Sequence, residues 1–195
     1  MKRNPTNPVS QPVASPLKRV KYTQGMVLGV DEFQTEQEYF LQKLRRHNRY
    51  LHGWGVVCGL SVSVDGDIVK VDEGYALDCA GNEILVPGAQ QARLPADKHQ
   101  VFVVLFYREN ESDLSPLPGV PPTSEGEAAF TTRIVESFEI QFSDQDPWEQ
   151  HNEVIGVPCG CSIPHGIPLA QLRLKRRTWR LNRWYHRPRP LSFGE

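Results

Sequence analysis

The stretch at residues 31–60, DEFQTEQEYFLQKLRRHNRYLHGWGVVCGL, restricts the fold more than any other part of the chain. Phe33, Phe40, Leu44 and Leu51 fall near one face of a 3.6-residue period, with Asn48 among them, which predicts a helix over about 31–52. Asp31 is the predicted cap. Glu32 and Glu36 suit the positively polarised first turns, and Lys43, Arg45, Arg46 and Arg49 suit the opposite end. Gly53 ends the helix in a closing conformation that favours glycine, and the chain reverses through Trp54 and Gly55 into a strand-like run, VVCGL. Asn48, His52, Gly53, Trp54 and Gly55 are therefore read as structural turn residues. Asn48 is expected to bond the backbone of the turn that follows it, and His52 to hold a neighbouring carbonyl. The segment holds no paired carboxylates, no glycine loop opening onto a helix and no nucleophile beside a base. It has the character of a docking element and not of a reaction centre.

Beyond the helix the pattern turns to strands. Residues 60–64 alternate toward Asp65-Gly66-Asp67, a hairpin signal, and 68–71 return. Strands are also expected at 75–77 and 83–86 about a turn at Gly81-Asn82, with Asp78 shaping that turn. VFVVLFY at 101–107 is a continuous apolar run, as a strand buried on both faces requires. RIVESFEIQF at 133–142 alternates, PLAQLRL at 168–174 closes the body, and 109–127, rich in proline, glycine and acid, reads as a long loop. The fold class that follows is α+β, mainly β: one N-terminal helix packed on an antiparallel β domain, with extended arms at both ends. The domain boundaries are 1–19 for a proline-rich arm, 20–174 for the body and 175–195 for a basic, aromatic tail.

Charge separates the same parts. The chain carries a net −1, yet residues 1–21 hold five basic groups and no acid, and residues 173–189 hold eight, again with no acid. The span 22–172 is left with nine basic against 22 acidic residues, a net of −13. Opposite charges on body and arms favour association with acidic neighbours, including copies of the same chain. No run is apolar enough to span a bilayer and the N-terminus lacks an apolar signal region, so a cytoplasmic location is expected. Four cysteines, Cys58, Cys79, Cys159 and Cys161, do not form the dense framework of a small secreted domain.

The run EQEYFLQKLRRHNRYLHGWGVVCGL, followed by VDEGYALDCAGNEILVP at 71–87, resembles a family of small proteins encoded among phage-tail-like genes of contractile injection systems. The similarity is good over about 20–87 and weaker at RIVESFEIQF and CGCSIPHGIPLAQLRL. The resemblance implies a structural, baseplate-associated part of a multi-subunit particle and no enzymatic activity.

Other constellations have simpler counterparts. Cys159, Cys161 and His165 offer thiolates and an imidazole suited to zinc. A structural site needs a fourth ligand from Cys58, Cys79 or a distant histidine, and the competing reading is a tight loop with reduced cysteines; the expected cofactor is none. Asp72, Glu73, Asp78 and Glu83 read as turn and surface acids, because no regular oxygen-ligand spacing accompanies them. In the tail, Trp179, Arg180, Arg183, Trp184, Tyr185 and Arg187 combine the residue types that most often anchor interfaces, and are the predicted partner-binding residues. Their partners are expected to be other protein subunits, with an anionic membrane surface or a fibre second. Nucleic acid is not expected as the main partner, since the acidic body would repel phosphate.

Overall fold

A computed structural model describes residues 16–116, 129–150 and 165–190. The chain divides into two compact units, Met1–Arg46 and His47–Glu195. The first contains helix α1, Val30–His47, up to Arg46; the second has ten strands among its described residues. The class is the predicted one, mainly antiparallel β with one helix.

In the first unit, α1 begins one residue before the predicted cap. The Gly29 amide donates to Glu32 Oε2 at 2.7 Å, and the Phe33 amide reaches the Gly29 carbonyl at 3.5 Å. Gly29 is thus the cap, and the glutamate three residues on satisfies its amide as in half of a capping box. Asp31 lies inside the first turn, where its charge complements the helix dipole. Of the predicted arm at 1–19, residues 16–19 alone are described.

The second unit opens on a π-helical turn, Asn48–His52, which closes with the Gly53 amide on the Asn48 carbonyl at 2.9 Å. Gly53 sits at φ 73°, ψ −143°, a region that side chains disfavour. The strands that follow are β1 (Gly55–Gly59), β2 (Val62–Asp65), β3 (Ile68–Val71), β4 (Gly74–Leu77), β5 (Glu83–Val86) and β6 (Gln90–Arg93). After them come β7 (Gln100–Pro116), β8 (Ala129–Ser143), β9 (Ile167–Lys175) and β10 (Thr178–Leu181). They form three antiparallel sheets, ordered β1-β4-β5, β2-β3-β6 and β10-β9-β7-β8.

One core joins the three sheets. Val56, Val69, Val71, Ala76, Ile84, Val86, Val101, Val103, Leu105, Ile167 and Leu172 are buried in it, with Trp54 and Trp179. The apolar run at 101–107 falls in β7, between β9 and β8, and Val101 to Leu105 are buried without alternation, as a strand covered on both faces should be. Pro168 cannot donate to a ladder, yet it is buried within β9. The register shifts there, Val103 facing Ala170 and Val104 facing Pro168, and this bulge accommodates the missing amide.

The loop predicted at 109–127 is corrected over 109–116. β7 runs on to Pro116 and pairs with β8 from Glu109↔Glu136 to Pro116↔Ala129, a two-stranded ribbon. A polar run such as RENESD is compatible with a strand when both faces meet water, because the partner strand alone satisfies its backbone. Residues 117–128 lie outside the described residues.

Candidate protein-docking surface

The tail predicted at 175–195 does not begin as an arm. Lys175 ends β9, Arg176 and Arg177 turn the chain at φ 50° and 65°, and Thr178–Leu181 returns as β10, the edge strand of the largest sheet. Two central residues at positive φ give the turn whose twist matches a β-hairpin. Alternation along β10 then sorts the predicted binding residues. Trp179, one of the predicted partner-binding residues, pairs with Leu174 and is buried at 7% exposure in the core of its own chain. Arg180 pairs with Arg173, and both are exposed.

The next residues fold back over the body. The Asn182 amide donates to the Gln171 carbonyl, and its side chain to Gln171 Oε1. The Tyr185 hydroxyl donates to Asp146 Oδ1 at 2.8 Å and its ring lies 5.6 Å from Phe102. Burial, then the Asp146 hydrogen bond, raises the Tyr185 phenol well above its usual range. Arg187 Nη1 donates to the carbonyls of Gly59 and Leu60 at 3.0 and 2.8 Å. Those two residues both have positive φ, 64° and 53°, where β1 turns away. The Val56 amide bonds the Pro188 carbonyl at 2.9 Å. Tyr185 and Arg187, predicted to bind partners, are thus half-buried and engaged within their own chain. The reason is that β1 and the Asp146 carboxylate offer them acceptors that nothing local in the sequence announces.

What stays outside is Arg180, Arg183 and Trp184, the last 85% exposed. Arg173, Lys175, Arg176 and Arg177 stand exposed with them, and among the described residues none of these six cations is ion-paired. Like charges directly opposite on neighbouring strands are destabilising, so Arg173 facing Arg180 is a cost that the isolated fold does not offset. The sequence contained a usable signal for this grouping: in a hairpin centred on Arg176-Arg177, residues 173, 175, 178 and 180 share one face.

The predicted turn residues assemble elsewhere. Asn48 is buried, and its Nδ2 donates to the Gly81 carbonyl at 3.0 Å and to Glu83 Oε1 at 3.4 Å. Its side chain therefore pins the β4–β5 turn, and the expected bond to the turn after the helix is made by its backbone carbonyl alone. His52 Nε2 faces His47 Nε2 at 3.3 Å instead of a carbonyl. Trp54 packs edge-on against Trp148 at 5.1 Å and His165 at 4.7 Å. Asp78 shapes its turn as predicted: Oδ1 accepts from the amides of Ala80 and Asn82 at 2.9 and 2.8 Å.

Of the zinc candidates, Cys159 and Cys161 lie outside the described residues. The His165 amide donates to Cys79 Sγ at 3.4 Å, which brings those two residues together. Burial pushes the Cys79 thiol up and holds the His165 imidazole below its usual range. Among the described residues no group of three or more His, Cys, Asp or Glu side chains could hold a metal ion. No helix among them is long and apolar enough to cross a membrane.

No protein-family model and no curated protein matches this sequence. Solved structures do. A chain of the TssK–TssF–TssG baseplate subcomplex of the type VI secretion system superposes with a TM-score of 0.52 at 12% identity, over 88% of this chain and 62% of that one. What the two share is the fold. A crystal structure of TssK (TM-score 0.48, 12% identity, 86% of this chain and 41% of that one) and the type VI secretion system baseplate complex (0.46, 13%, 89% and 60%) are also similar. In each case this chain spans less than two thirds of the chain it matches.

Proposed function

We propose that this chain is a non-catalytic structural subunit of a contractile, phage-tail-like injection particle, positioned in the baseplate region and assembled in the cytoplasm. The observation that supports the reading most is the fold shared with a chain of a type VI baseplate subcomplex. The basic face of the β9–β10 hairpin supplies the means. The exposed cations of the hairpin, none of them ion-paired among the described residues, suit an acidic face of a neighbouring protein subunit, with the exposed Trp184 as an anchor. Docking relieves the Arg173–Arg180 repulsion, so part of the interaction energy comes from a conflict already present in the free chain.

Deleting 175–195 would remove β10 with its buried tryptophan, so point changes on the surface are the cleaner test. Arg173→Glu with Arg180→Glu and Trp184→Ala should lower incorporation into purified particles at least about tenfold, the equivalent of roughly 1.4 kcal/mol. Its melting midpoint should stay within a degree or two of wild type. Undiminished incorporation by a folded triple variant would remove this face from the assembly.

A second reading, a structural zinc, rests on the approach of His165 to Cys79. Cys159 and Cys161 precede His165 by only six and four residues, so three thiols and one imidazole would complete a tetrahedral set. Elemental analysis should then find about one zinc per chain, lost in Cys159→Ala. A folded, metal-free wild-type protein disposes of this reading, and of a small zinc enzyme with it.

A further inference from the structure

Along α1, Val30, Phe33, Gln37, Phe40 and Leu44 succeed one another at alternating intervals of three and four residues. That interval is the seam of helices packed knobs-into-holes, narrower than the stripe of a helix embedded in a globular core. The helix buries none of its residues. Val30, Phe33, Phe40 and Leu44 are 69%, 54%, 60% and 47% exposed. Within its own unit, the described residues Pro16, Leu17 and Lys18 line a groove with Thr35, Glu38, Tyr39, Gln42 and Arg46, none of them a residue of the seam.

The charges along α1 are sorted by position. Residues 30–38 carry Asp31, Glu32, Glu36 and Glu38 and no base; residues 39–47 carry Lys43, Arg45 and Arg46 and no acid. We infer that α1 pairs antiparallel with α1 of a second copy of this chain. A parallel pair would set carboxylates beside carboxylates and cations beside cations. An antiparallel pair sets the acidic half of each helix beside the basic half of the other, twice over, as a two-fold axis requires. The two helix dipoles also oppose favourably. With Val30 of one copy at the level of Leu44 of the other, the axis passes Gln37. Two glutamine amides then meet at the one polar position of the seam, a device that selects a single register.

Eighteen residues make a helix about 27 Å long. The interface is consequently in the small, reversible class, and pairing should depend on concentration. This inference goes beyond the baseplate reading and does not need it, since it concerns the purified chain alone.

Sedimentation equilibrium of the full chain over a concentration series tests it. Wild type should pass from monomer to dimer, and Phe33→Glu with Phe40→Glu should remain monomeric throughout. Both phenylalanines are exposed, so the double variant should keep its melting midpoint. Lys43→Gln with Arg45→Gln and Arg46→Gln separates the orientations: antiparallel pairing predicts dissociation at least several-fold easier, and parallel pairing predicts tighter association. A monomeric wild type, a dimer that survives the double glutamate change, or a dimer tightened by the glutamines overturns the inference.

Discussion

Trp179→Ala should cost the body about 3–5 kcal/mol, the range for removing a large buried aromatic side chain. Trp184→Ala, five residues on, should change stability by no more than about 0.5 kcal/mol. The two tryptophans belong to the same basic, aromatic stretch, and composition does not distinguish them. Trp179 lies in β10 opposite Leu174 with its ring in the core, whereas Trp184 follows the strand in a turn and is exposed to water. For a chain of this size each kcal/mol moves the melting midpoint by roughly 2–4 °C, so Trp179→Ala should melt about 6–20 °C lower. Urea unfolding with unchanged slope would attribute the loss to the native state. If Trp184→Ala were the destabilising change and Trp179→Ala the silent one, the face assignment of the hairpin would be reversed and the docking surface with it.

Gly55→Ala should be nearly as damaging, for a backbone reason. Gly55 opens β1 at φ 128°, and a Cβ there would lie 2.6 Å from the carbonyl carbon and oxygen of Pro188 and 2.7 Å from the Arg189 amide nitrogen. Neither obstacle is the end of a flexible side chain. The conformation itself disfavours a side chain by about 1–3 kcal/mol. Pushing the 185–190 segment away also breaks the Val56–Pro188 hydrogen bond and the grip of Arg187 on the Gly59 and Leu60 carbonyls. At about 1.5–3 kcal/mol for the hold of a charged group, losing that grip brings the expected total to about 2.5–6 kcal/mol. Trypsin should also cut faster after Arg183 in the variant, because the exposed arginine precedes a segment no longer held down. A Gly55→Ala protein as stable and as resistant as wild type would mean that the C-terminal segment does not lie on β1.

These two expectations divide along the line between what was legible in the chain and what was not. The helix at 31–52, the Asp65-Gly66-Asp67 hairpin, the turn shaped by Asp78 and the buried strand at 101–107 all rest on interactions between residues near one another in sequence. Their signals are the 3.6-residue period, turn chemistry and an unbroken apolar run, and the structure places an element at each. β6 (Gln90–Arg93) was missed because a short polar strand pairing with β3 has no apolar pattern of its own. The distal halves of β7 and β8 hid for the same reason, since the partner strand and not burial holds them.

The candidate docking surface was legible as a composition and not as a place. Arginine and tryptophan from 173 to 187 pointed to binding, and Arg180, Arg183 and Trp184 are indeed on the outside. Long-range acceptors then recruited Tyr185 and Arg187 to the body. Asn48 behaved likewise, its carboxamide reaching across 33 residues to Gly81.

Sequence by itself determined the class of fold, the helix and its charge gradient, the central strand and the sign of each segment's charge, all of which follow from neighbouring residues and their periodicity. Only the tertiary structure decided which cations remain unpaired and which aromatic ring is core. Those depend on the partner a strand or segment finds, a β9 for β10 and a β1 for Pro188, and a chain of residue types does not specify such distant pairings until it has packed.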